Sequence, residues 1–144
     1  MPRPAAFLDS SVIIAALLSS KGGSSYLLTQ LNDRANFQIN EYVFAEVRGI
    51  LEAKFADRPE MSAHLFLLLG LAGVATVANP SKQEIRRLSK LISKNDAPIL
   101  ASAMEHSEYL ITLDKEFLKP SIVAAARGKN LSIVRPGDFI SLFR

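Results

Sequence analysis

The chain has 144 residues, 49% of them hydrophobic and 8% aromatic, and no cysteine. That is enough aliphatic material for one self-sufficient core. It excludes disulfides, thiolate metal sites and a cysteine nucleophile. A net charge of +3 suits a nucleic-acid partner but falls well short of a dedicated coat protein.

In chain order, Ala5 to Leu8 reads as a short buried strand, and Ser10 to Ser20 as a helix ended by Lys21-Gly22-Gly23. Ser24 or Ser25 caps a second helix to about Asn32. Phe37 to Ile39 is a second strand. Asn40 then caps a helix from Glu41 to about Ala56, ended by Arg58-Pro59, and Glu60 to Leu71 is a very apolar fourth helix. Val74 to Val77 is a strand, and Asn79-Pro80-Ser81 starts a helix to Ser93. Asp96 to Ser107 is the next helix, with Pro98 in its first turn, where a missing N–H costs little. Tyr109 to Leu113 is a buried strand, Asp114 to Leu118 a helical turn ended by Pro120, and Leu131 to Val134 the last strand. Pro136-Gly137-Asp138 leads into a final helical turn. Short apolar strands separated by helices predict a three-layer α/β/α domain over residues 1–144. Its central sheet should be mainly parallel, with four to five short strands.

Two apolar stretches invite a membrane reading. Val12 to Leu18 has Asp9-Ser10-Ser11 before it and a poor cleavage site in Ser19-Ser20-Lys21. Leu65 to Ala78 is shorter than the roughly 18 residues a span needs. The expectation is a soluble, cytoplasmic protein that does not enter a membrane.

Four acids stand out. Asp9 ends the first strand, and Asp114 ends the buried run Tyr109 to Leu113. Asp96 shares a helical face with Ile99, Leu100 and Ala103, so it points inward at the helix start. Glu46 falls at the border of the stripe Val43, Val47, Ile50 and Leu51, beside the small residues Ala45, Gly49 and Ala53. Each acid alone has an ordinary explanation: a helix cap for the aspartates, a boundary position for the glutamate. Converging carboxylates repel one another unless a cation sits among them. Oxygen ligands without His or Cys select a hard ion such as Mg²⁺ or Mn²⁺.

The order of the acids, and the blocks Phe7-Leu8-Asp9-Ser10-Ser11-Val12-Ile13, Asp96-Ala97-Pro98-Ile99-Leu100-Ala101-Ser102-Ala103 and Tyr109 to Phe117, resemble the PIN-domain family nearly end to end. The resemblance implies a Mg²⁺- or Mn²⁺-dependent ribonuclease. It leaves 5′-phosphate and 3′-hydroxyl ends, and many members are VapC-like toxins of toxin–antitoxin pairs. It also implies that Asp9, Glu46, Asp96 and Asp114 are the catalytic and metal-binding acids, with one ion or two. Members often carry Asn two residues after the first aspartate. Here that residue is Ser11, whose hydroxyl can still contact substrate, as can Thr112.

An RNA substrate needs cations near the acids. Lys82, Arg86, Lys90 and Lys94 recur every four residues and lead toward Asp96, either as a solvated face or as phosphate contacts. In the apolar fourth helix, Phe66, Leu67 and Leu71 exceed what one buried stripe requires, which offers a homodimer or antitoxin surface. The competing expectations are a PIN nuclease of RNA maturation or decay, and a PIN-like domain that binds RNA or protein without cutting. A response-regulator-like receiver also gathers acids at strand ends, but its late-strand lysine is not evident.

Overall fold

The computed structural model describes residues 2–144. Five parallel strands form one sheet in the order β3-β2-β1-β4-β5. They are β1 (Ala5–Leu8), β2 (Asn36–Ile39), β3 (Ala75–Thr76), β4 (Tyr109–Ile111) and β5 (Ser132–Val134). The helices between them are α1 (Ser10–Leu18), α2 (Gly23–Gln30), α3 (Glu41–Lys54), α4 (Glu60–Leu71), α5 (Lys82–Leu88), α6 (Ala97–His106), α7 (Pro120–Arg127) and α8 (Pro136–Ser141).

β1 is the middle strand. Ala6, Phe7 and Leu8 are fully buried, as a strand covered on both faces requires. The chain steps from β1 through β2 to β3, then crosses to β4 on the other side of β1 and on to β5. Right-handed crossovers place α1 to α4 on one face and α5 to α7 on the other. In agreement, α1 packs on α2, α3 and α4, α5 packs on α6, and α8 packs on α2. The three-layer α/β/α expectation holds, with the sheet wholly parallel. The reversal of strand order lies between β1 and β4, where open α/β sheets form a crevice at their carboxyl ends.

Several local expectations change. Pro120 starts a helix instead of ending a turn. It occupies the first turn of α7, where its fixed φ is already helical, and Ile122 and Ala126 form the buried face. α5 stops at Leu88 rather than Ser93. The Ser89 hydroxyl donates back to the Ile85 carbonyl at 2.7 Å, a bond that competes with helix continuation. β3 keeps two residues of the expected four, because Val74 N donates to Leu69 O, 3.0 Å away, in the turn closing α4. β4 ends at Ile111, two residues before Leu113. No single helix among the described residues is long and apolar enough to cross a membrane.

Asn40 joins the two helical layers at the carboxyl end of the sheet. It is fully buried. Its Oδ1 accepts from Val43 N at 3.0 Å, the expected cap of α3, while Nδ2 donates to Pro98 O at 3.2 Å and Ser102 Oγ at 2.8 Å. Ser102 in turn donates to Ala78 O, 3.2 Å away. Asn40→Ala should therefore cost about 2–3 kcal/mol, combining a lost cap with polar partners left buried. Urea unfolding measures this; a loss under about 0.5 kcal/mol would show that water replaces the bonds at no cost.

Candidate functional site

β1 delivers Asp9 to the crevice. Its backbone N–H donates to Ile111 O at 3.1 Å, which ties it to the end of β4. The side chain is 2% exposed. Its Oδ2 accepts from Ser11 Oγ at 2.7 Å and from Thr112 Oγ1 at 2.8 Å. Both hydroxyls accept in turn: Ser11 from Leu113 N at 3.0 Å, Thr112 from Asp114 N at 2.9 Å. Ser11 and Thr112 thus bind together the two turns that carry Asp9 and Asp114.

Asp114 is half-buried, and its Oδ1 caps Glu116 N at 2.9 Å. Phe117, fully buried, anchors that turn. Asp96 sits at the N-cap of α6, half-buried, and accepts from Ser93 Oγ at 2.9 Å. Ile99, Leu100 and Ala103 are fully buried, so the helical phase does turn Asp96 inward. Glu46 is half-buried at the edge of the α3 stripe, and its Oε1 accepts from Ser10 Oγ.

One pattern runs through all four acids. Each has one carboxylate oxygen engaged by a neighbouring hydroxyl or amide. The other has no hydrogen-bond donor, and no Lys or Arg forms an ion pair with any of the four, among the described residues.

The electrostatics reflect this crowding. Burial pushes the Asp9 carboxyl above its ordinary range; the Ser11 and Thr112 hydroxyls pull it back, and the Asp114 charge adds to the rise. Burial likewise raises Glu46, opposed by Ser10 and reinforced by Asp9, Asp96 and Asp114. Asp96 is raised by burial, lowered by Ser93, and raised by Asp114, Asp9 and Glu116. The four acids therefore feel one another, as their order in the sequence suggested. Glu116 is a fifth acid that the sequence reading passed over. Its position two residues after Asp114 was the available signal.

The donor set, four carboxylates with free oxygens and no nitrogen or sulfur, suits a hard divalent cation. As the side chains stand, no three His, Cys, Asp or Glu groups among the described residues gather at ligating spacing. The acids lie near enough for the charges of Asp9, Asp96 and Asp114 to act on their neighbours, though not at ligating distance as the side chains stand.

Asp9, Glu46 and Asp114 line a cleft of about 540 Å³ with Ser10, Ser11 and Ala15. Its apolar wall comes from Ile14, Leu18, Ile50 and Phe55, and its one cation is Lys54. Lys54 was also missed, although Glu46, Ile50 and Lys54 follow at four-residue steps on one helical face. The expected basic residues lie elsewhere. Lys82, Arg86, Lys90 and Lys94 are all exposed, and none lines this cleft. Because α5 stops at Leu88, Lys90 and Lys94 leave the helical stripe; Arg86 and Lys90 line a separate shallow cleft with Gln83 and Arg87. His64 is exposed, and His106 lies at the far end of α6 from Asp96.

The raised carboxyls make a pH prediction. The folded protein keeps protons on Asp9, Glu46 and Asp96 at a pH where the unfolded chain has lost them. The contribution of these three groups to the stability of the metal-free protein should therefore be full at and below the ordinary carboxylate range, about pH 4, and be lost as pH rises through the raised values. Asp9→Asn should flatten that loss. Urea unfolding at about pH 5 and about pH 7 checks it, and equal pH dependence in both proteins would refute it.

No curated protein sequence is detectably similar to this chain. Several solved chains share its fold. The structure of VapBC2 from Rickettsia felis bound to a promoter DNA fragment matches with a TM-score of 0.65 and 18% identity, covering 91% of this chain and 98% of that one. FitAcB from Neisseria gonorrhoeae matches with a TM-score of 0.59 and 21% identity, over 92% and 98%. Residues 6–123 match the PIN domain family. The chain belongs to the PIN-domain family, whose members are generally nucleases.

Proposed function

We propose that the protein is a Mg²⁺- or Mn²⁺-dependent endoribonuclease, and the toxin of a toxin–antitoxin pair. The observation that carries the nuclease reading is the set of four mutually repelling acids, each with one unengaged oxygen, at the switch point of a PIN fold. Asp9, Asp96 and Asp114 would hold the ion. Glu46, its Oε1 fixed by Ser10, would join them or accept a proton from the attacking water through Oε2. A divalent ion held there would offset phosphate charge and would make the attacking water more acidic.

The chain's own residues do the positioning. Thr112 and Ser11 fix the Asp9 carboxylate, and Phe117 locks the Asp114 turn. Water adds to phosphorus in line, and the bond to the 3′ oxygen breaks. That oxygen leaves with a proton, giving a 5′-phosphate and a 3′-hydroxyl. Lys54 faces the strand inside the cleft, and Lys82, Arg86, Lys90 and Lys94 form an outer basic surface for flanking phosphates.

The toxin reading rests on the resemblance to VapC-like members and on the VapBC2 and FitAcB folds. It places the protein in the cytoplasm with an antitoxin partner. It also accommodates a homodimer through α4, where Phe66, Leu67 and Leu71 are 56%, 60% and 63% exposed. Light scattering tests the dimer: Leu67→Ser with Leu71→Ser should yield monomers, and a wild type that is monomeric at working concentration removes the idea. For the chemistry, single-stranded RNA should be cut with Mn²⁺ and left whole with EDTA. Asp96→Asn should lower the rate by at least about 100-fold without loss of fold by circular dichroism. Equal cleavage in EDTA would sink the reading.

A further inference from the structure

Hydrogen bonds tie three of the four acids to one another. Ser11 and Thr112 join the turns of Asp9 and Asp114. Ser10, next to Asp9, donates to Glu46. Asp96 differs. Its hydroxyl partner is Ser93, close by in the chain, which moves with the same turn. The Asp96 and Ala97 N–H groups also go to Ser93, and the Asp96 carbonyl accepts from Ile99 and Leu100 within α6. Among the described residues, one hydrogen bond reaches this first turn from another element. It runs from Asn40 Nδ2 to Pro98 O, 3.2 Å away.

The cap of α3 requires an acceptor alone, and Asn40 Oδ1 supplies it. Ser or Asp would cap as well. The amide nitrogen is surplus to that task, and a fully buried amide costs stability unless its donors are met. Both donors are met on α6, by Pro98 O and by Ser102 Oγ. Packing of Ile99 and Leu100 holds α6 on the sheet, but apolar contact has no direction. Hydrogen bonds do. The rest of α6 is held separately: Ser102 Oγ donates to Ala78 O at 3.2 Å, and Ser107 Oγ to Gln38 Oε1 at 2.8 Å. From Ser102 back to Asp96 is about 9 Å along the helix axis. A tilt of about 5° about Ser102 moves Asp96 by about 0.8 Å, whereas metal–ligand distances tolerate roughly 0.2 Å.

We propose that Asn40 is a positioning residue of the acid site. Its amide fixes Asp96 against Asp9, Glu46 and Asp114, and thereby sets how tightly the site holds a divalent ion. The ion rests on the nuclease reading; the position of Asp96 rests on the hydrogen bonds alone.

Asn40→Ser separates the two roles of the residue, because it keeps an acceptor for the α3 cap and loses both bonds to α6. Residual dipolar couplings of the metal-free protein report the direction of α6 against the sheet, and calorimetry reports Mn²⁺ affinity. Asn40→Ser should turn the α6 couplings, leave those of α3, and weaken Mn²⁺ binding about 10-fold. Asn40→Asp, also a cap without the amide donors, should give the same readouts if the serine variant does not fold. Ile122→Val, which loosens the packing under α7, should leave Mn²⁺ affinity at the wild-type value. In Asp96→Ala protein, Asn40→Ser should cost no further affinity. Equal weakening with and without Asp96 would overturn the proposal, since it marks a general softening of the fold. So would unturned α6 couplings, or unchanged affinity, in Asn40→Ser. Wild-type protein that takes up no Mn²⁺ would end the nuclease reading, and the couplings would then decide the position of Asp96 by themselves.

Discussion

A carboxylate that accepts two hydroxyl hydrogen bonds on one oxygen is fixed in orientation, and everything at the sheet's carboxyl end is arranged around such a group. Asp9 Oδ2 takes both Ser11 and Thr112. Those hydroxyls also receive the backbone N–H groups of Leu113 and Asp114. One oxygen therefore aligns two turns that are more than a hundred residues apart in the chain. The same bonds offset part of the cost of keeping an acid 2% exposed. What they do not offset is repulsion among the neighbouring acids, which remains as a local instability of the folded state.

Such instability is tolerated where it serves a purpose. Each acid is held by one oxygen only. A fully satisfied set of carboxylates would be stable and inert toward cations; a fully unsatisfied set would wander. Half-engagement keeps the groups oriented while leaving oxygens for an incoming positive charge. The flanking wall of Ile14, Leu18, Ile50 and Phe55 adds to this by lowering the local polarity, which strengthens any interaction with charge inside the cleft.

Much of this was legible in the sequence. Asp96 could be oriented because Ile99, Leu100 and Ala103 share its helical face, and a helix has a fixed period. Asp9 could be placed because an apolar run before it must be a central strand. Glu46 could be assigned to a border because Val43, Val47 and Leu51 define the buried stripe. Other features depend on information that periodicity does not hold. Pro120 is compatible with ending one element or starting another, and only the downstream packing of Ile122 and Ala126 decides. The stop of α5 depends on one serine bonding backward, and that stop breaks up the regular basic stripe. The bonds from Asn40 to Pro98 and Ser102 join residues 58 and 62 positions apart, and no local pattern reports a meeting between segments so distant in the chain.

The outermost strand bears on how molecules of this protein meet. β3 has two residues, and its neighbouring backbone groups are already occupied: Val74 N by Leu69 O and Ala78 O by Ser102. Val77 N points to Ile39 O on β2, so by alternation Val74, Thr76 and Ala78 turn outward, and Thr76 alone among them has both its N–H and its C=O unengaged. One residue is too short a template for another strand to copy. Crowded copies of the protein are thereby steered away from strand-to-strand pairing through β3, one of the sheet's two edges.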